Sequence, residues 1–98
     1  MKSIKIDNLT VSYPIVAISY DEAEKLCPKG WRIPKIWELV EIYLTSGLIK
    51  GYEKGTWRMF WADGVRRLCR SSEGFWGAYD GSRNSFDCGR VVFVKEEK

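Results

Sequence analysis

Histidine is absent from the 98 residues, and with it the side chain most used for proton transfer near neutral pH. Histidine-based hydrolase triads are excluded. Cysteine is scarce: Cys27, Cys69 and Cys88 form no CxxC pair, so the usual zinc sets shrink to three thiolates completed by a carboxylate. Neither a metal nor a cofactor is expected. The thiols are read as free, with one disulfide and an odd thiol left over as the alternative. Long apolar runs are missing too. Nothing approaches the roughly 18 apolar residues of a membrane helix, and Met1-Lys2-Ser3-Ile4-Lys5 lacks the apolar stretch of a secretory signal. The expectation is a soluble, cytoplasmic protein with no membrane partner. Charge is not one-sided: 16 basic against 13 acidic residues leave +3, too little to demand a polyanion. Nucleic acid is permitted as a partner without being favoured.

What is present is apolar area. Hydrophobic residues make up 45% and aromatics 14% of the chain, with five Trp, enough for one core without obligatory staples. Residues 1–98 are read as a single domain. No internal repeat or low-complexity tract interrupts it.

Residues 4–18 read as two short extended pieces, alternating at Ile4 and Ile6 and then β-branched around Val16-Ala17-Ile18. Pro14 belongs at a strand start or edge, which places the stronger strand over residues 15–18. Ser19 followed by Glu22 matches a capping box, with Asp21 and Glu22 complementing the positive end of the helix dipole. That helix should finish near Cys27, since Pro28 and Gly30 follow. Residues 27–34, with two prolines and a glycine around Trp31, read as a shaped connection. A second helix is expected next, its core face formed by Ile36, Leu39, Val40 and Tyr43 and its stop by Gly47. From Gly51 onward apolar runs shorten to strand length, over residues 57–62, 74–79 and 91–95, separated by Gly-, Asp- and Ser-bearing turns. Helices first and a meander after make an α+β arrangement.

At Ala23, Cys27, Pro28, Gly30, Trp31, Arg32, Pro34 and Glu38 the chain resembles the A…CP-x-GWRLP…E signature of small bacterial and viral C-type lectin-like domains. Domains of unknown function carrying GWRLP and the Fibrobacter major paralogous group share it. The likeness continues at Phe60-Trp61-Ala62 and in the run at residues 89–94, so it spans nearly the whole chain. It implies two helices packed on a twisted antiparallel sheet, a loop-rich second half, and Trp31 as a buried plug between the second helix and the sheet. It also implies a binding module whose recognition residues lie in the last third. The Glu-Pro-Asn or Gln-Pro-Asp triplet of calcium-dependent sugar binders is absent. Trp61-Ala62-Asp63 is a poor substitute for Trp-Asn-Asp, because calcium wants about six to eight oxygens.

Candidate binding residues follow from composition and from that likeness. Trp76, Tyr79, Asp80, Arg83 and Asn84 mix rings with adaptable polar groups, as binding loops do. Read structurally, residues 75–79 simply alternate between the faces of a strand. A second set, Trp57, Arg58, Trp61, Arg66 and Arg67, with Arg70 beside it, reads as a basic and aromatic edge or as a solvated charged edge that discourages aggregation. Glu38 is expected to hydrogen-bond Arg32 or the turn backbone, a structural role. No nucleophile stands beside a base in a recognisable spacing, so an enzyme is not expected; a catalytic reading would need an activated Cys69 or Cys88. The function expected is a non-catalytic, calcium-independent module that recognises a protein or glycan. Alternatives are an assembly protein, as a homodimer or virion component, and a virus-encoded factor acting in a host cell with weak nucleic-acid affinity.

Overall fold

The computed structural model describes residues 2–45, 59–70, 76–80 and 89–96. Over these residues the chain is a small α+β protein of two helices and two sheets. In chain order come β1 (Ser3–Ile6), β2 (Leu9–Ser12), β3 (Ile15–Val16), α1 (Tyr20–Leu26) and α2 (Ile36–Thr45). They are followed by β4 (Met59–Ala62), β5 (Arg66–Arg70), β6 (Trp76–Asp80), β7 (Arg90–Val91) and β8 (Val94–Glu96). One sheet has the order β1-β2-β8 and the other β3-β7-β4-β5-β6. Every pairing is antiparallel except β4 with β7.

Local chemistry accounts for the first helix. The Ser19 hydroxyl accepts from the Glu22 N–H at 3.1 Å, and the Glu22 carboxylate accepts from the Ile18 N–H at 3.2 Å. The capping box thus reaches one residue further back than its usual reciprocal bond. Cys27 ends the helix with an extended backbone, its N–H returning to Glu24.

The single antiparallel sheet expected is instead two sheets, one of them mixed. The cause lies at the C-terminal apolar run, which reads as one strand but is broken at Val92 and Phe93. Phe93 leaves the ladder to pair with Ser12: the Ser12 N–H donates to the Phe93 carbonyl at 2.8 Å, and the Ser12 hydroxyl accepts from the Phe93 N–H at 2.7 Å. The same run therefore feeds β7 into one sheet and β8 into the other. Ser12 is fully buried, so Ser12→Ala strands the Phe93 N–H away from water. The expected loss is about 1–2 kcal/mol in denaturant unfolding; a loss indistinguishable from zero would show that water replaces the hydroxyl. At the N-terminus the first extended piece is a hairpin, β1 paired with β2 across Asp7-Asn8, with Asp7 in the left-handed region at φ 53°.

Two apolar clusters lie on opposite faces of the five-stranded sheet. Phe60, Ala62 and Leu68 pack with Leu39 and Ile42 of α2 and with Val11, Val92 and Val94. Met59, Trp61, Val91 and Phe93 pack with Tyr20 and Ala23 of α1. Strand β4 is buried at all four positions, as a central strand covered on both sides must be.

Two expectations about the core are corrected. On α2 the buried residues are Leu39 and Ile42 with Ile36 at the margin, while Val40 is 40% exposed. The helix lies on the core along an i, i+3 row, which turns the i+4 position outward; the Tyr43 side chain and Gly47 fall outside the described residues. Trp31 is half-buried at the rim of the second cluster, where the Lys95 ammonium lies 5.0 Å from its ring centroid. It sits on a surface turn closed by its N–H to the Pro28 carbonyl at 3.1 Å. Among the described residues the buried tryptophan is Trp61, on the central strand.

Candidate binding surface on the sheet edge

Strand β5, Arg-Arg-Leu-Cys-Arg, has a weak apolar pattern, yet it is laddered on both sides, to β4 and to β6. Leu68 is buried against the α2 side and Cys69 packs with the α1 side, so the alternation of a strand is kept in two residues. The register then decides which candidate residues meet. Arg66 stands opposite Asp80, Arg67 opposite Tyr79 and Arg70 opposite Trp76. Two sets that lie apart in the sequence thus share adjacent strands. Arg66 and Asp80 hold directly opposed positions, which suits opposite charges. Both Arg66 and Arg67 are half-buried, with the Nε atom of each shielded from solvent.

The rest of the predicted set divides. Trp57, Arg58, Arg83 and Asn84 lie outside the described residues, as do the side chains of Trp76, Tyr79 and Asp80. Trp61 does not belong to the edge. Its ring is fully buried, its indole N–H donates to the Ala17 carbonyl at 3.0 Å, and it meets Tyr20 edge-on at 6.0 Å. A central strand buried on both faces has no outward position to give it.

At the end of β4 nearest this surface the chain turns through Gly64 and Val65, both with positive φ, 80° and 58°. Glycine adopts that conformation readily; a β-branched residue does not. Val65 packs against the α1 cluster, an apolar contact that offsets part of the backbone cost. The Tyr20 hydroxyl secures the turn, donating to the Asp63 carboxylate and accepting from the Gly64 N–H, each at 3.3 Å. Burial, helped by the Asp63 and Glu24 carboxylates, raises the Tyr20 pKa, and the Gly64 bond opposes the rise. Tyr20 also lines a groove of about 250 Å³ with Glu24, Cys27, Arg32, Ile33 and Asp63. Burial pushes the Cys27 thiol up, so phenol and thiol are both protonated there near neutral pH. Cys27 is a free thiol; Cys88 lies outside the described residues.

No family model, curated protein or solved structure matches the chain. Geometry alone therefore bears on its role. Among the described residues no three His, Cys, Asp or Glu side chains are grouped to hold a metal ion, and no helix is long and apolar enough to cross a membrane.

Sequence reasoning found the Arg32–Glu38 pair. The guanidinium donates to both Glu38 oxygens, at 2.7 and 2.8 Å, and to Glu96 at 3.0 Å. The Arg32 backbone bridges to Val94 in both directions, so this pair fastens the turn before α2 to β8. Its role is structural. What sequence reasoning missed is Trp37, 63% exposed on α2. Its place just off the apolar stripe was the available signal.

Proposed function

We propose that the chain is a non-catalytic binding module of C-type lectin-like architecture that recognises a protein or glycan partner through β5 and β6, without calcium. The register of those two strands carries the reading, because it sets Arg66, Arg67 and Arg70 against Asp80, Tyr79 and Trp76. Tyrosine and tryptophan give contact area at low entropic cost, and arginine adds forked hydrogen bonds to carboxylates or hydroxyls. The architecture is compatible: the N-terminal hairpin and the C-terminal strand β8 share one sheet, closing the chain around its β-rich half. Independence from calcium draws support from Trp61-Ala62-Asp63. The first two side chains are buried and offer no carboxylate or amide oxygen, and the Asp63 carboxylate already accepts from Tyr20 and from the Gly64 N–H.

A glycan array and a displayed peptide library, each probed with and without EDTA, test this. Specific ligands should emerge whose binding is indifferent to EDTA and falls about tenfold or more in Tyr79→Ala and Trp76→Ala, with folding checked by circular dichroism. Binding that needs calcium, or that survives both substitutions, would refute it. Self-assembly is a second reading, favoured by the exposed apolar side chains of Tyr13, Val16 and Ile18. A mass that stays monomeric across a hundredfold concentration range in sedimentation removes it.

A further inference from the structure

Helix α2 leaves its largest apolar side chain in water. Trp37 is 63% exposed, and Val40, the next residue along that flank, is 40% exposed. Isolated exposed apolar residues need no explanation, but a tryptophan at the lip of a groove does, because this side chain dominates the energetics of protein interfaces. The groove runs between α2 and the β1–β2 hairpin, with a volume of about 220 Å³. Its apolar floor is Ile6, Leu9 and Ile42. That is smaller than the roughly 300–1,000 Å³ of ordinary small-molecule pockets, and it suits one or two side chains of a partner.

Among the described residues the charged groups that line the groove are all acidic, Asp7, Glu38 and Glu41, in a chain whose net charge is +3. Glu38 is engaged by Arg32, while Asp7 and Glu41 are exposed at the rim. The indole face already attracts a cation: the Lys35 ammonium lies 5.1 Å from the Trp37 ring centroid, within cation–π range. An anionic segment would meet like charge here, and a wholly apolar one would desolvate carboxylates with nothing to pair them.

We propose that this groove docks a cationic segment of a partner protein. An apolar side chain of that segment sits on Ile6, Leu9 and Ile42, and a neighbouring lysine or arginine lies between Trp37 and the carboxylates of Glu41 and Asp7. The surface is built on elements other than β5 and β6, so it stands or falls independently of the binding role proposed for that edge.

The test is a proton–nitrogen NMR titration of the full chain with a hexapeptide of alternating leucine and lysine, and with its leucine–glutamate counterpart. The lysine peptide should shift the Trp37 indole resonance and the amides of residues 7–9 and 37–42, and added salt should weaken its binding. Trp37→Ala and Glu41→Lys, both at exposed positions and checked by thermal melts, should each weaken it about tenfold or more. Absence of shifts, equal shifts with the glutamate peptide, or unchanged affinity in both variants would overturn the proposal. So would groove resonances that move with protein concentration alone, which would assign the groove to a second copy of the chain.

Discussion

Trp61→Ala is expected to cost about 4 kcal/mol, the range for emptying a large aromatic from a packed core. In a chain of this size that corresponds to a fall in melting temperature of about 15–30 °C, a large share of the roughly 5–15 kcal/mol that keeps a domain folded. The expectation rests on position. Trp61 is wholly buried on β4, meets Tyr20 at an interplanar angle of 73°, and donates to the Ala17 carbonyl. Three segments close on it, because the Ala17 N–H also donates to the Gly89 carbonyl at 3.1 Å. Gly89 marks how tight the packing is: a Cβ there would stand 2.5 Å from Met59 Cε and 3.0 Å from Trp61 Nε1. The methionine end can move aside, the indole much less. Trp61→Phe separates the hydrogen bond from the packing, retaining most of the ring while leaving the Ala17 carbonyl unpaired, and should cost about 1–3 kcal/mol. Denaturant unfolding of both variants measures the two parts. If Trp61→Ala costs under about 1 kcal/mol, the ring is not what joins α1 to the sheet.

Which tryptophan would fill the core was not legible beforehand, and the reason is physical. Trp31 is bracketed by prolines in a motif with a strong local signature, but a turn between helices lies at the surface whatever its composition. Trp61 has no such signature; its burial comes from β4 being covered on both faces, a consequence of topology. What could be read was local. Ser19 with Glu22 announces the first helix, the forked match of Arg32 to Glu38 is a chemistry of side chains six residues apart, and the unbroken apolar run at 59–62 forms a strand. What could not be read was set by partners distant in sequence. Strand β5 exists because β4 and β6 ladder it, not because arginines favour strands. The break at Val92 and Phe93 depends on a serine 81 residues away. The candidate site shared that fate: its aromatic and basic sets were visible one at a time, and only the register of β5 with β6 joins them.

Glu38→Ala is expected to cost about 2–3 kcal/mol near neutral pH, less than a deeply buried ion pair because water reaches one partner. The Glu38 side chain is 15% exposed and that of Arg32 is 36% exposed. Glu38 accepts two charge-assisted bonds from the guanidinium and a third from the Lys35 N–H at 2.8 Å, so it also caps the start of α2. The Arg32 hydrogen bond holds the Glu38 carboxyl below its ordinary pKa of 4.5, with burial opposing the shift and the Lys35 N–H adding to it. A carboxyl whose pKa is lower folded than unfolded binds its proton more tightly in the unfolded chain. Its stabilisation is therefore complete above the ordinary value of 4.5 and is lost as the pH falls from there through the lower folded value. The parent protein and Glu38→Ala should accordingly differ most near neutral pH and converge in acid, in urea unfolding followed downward from neutrality. Curves that stay parallel would mean that Glu38 acts through packing alone. The Glu96 carboxylate contributes little to this difference, since its side chain is 69% exposed and an exposed pair is worth about 0–1 kcal/mol. Arg32→Ala should be the more damaging half of a double-mutant cycle with Glu38→Ala, because it leaves a half-buried carboxylate with only the Lys35 N–H to hold it. In that variant the Glu38 pKa should rise, and the acid limb of the stability curve should shift to higher pH with it.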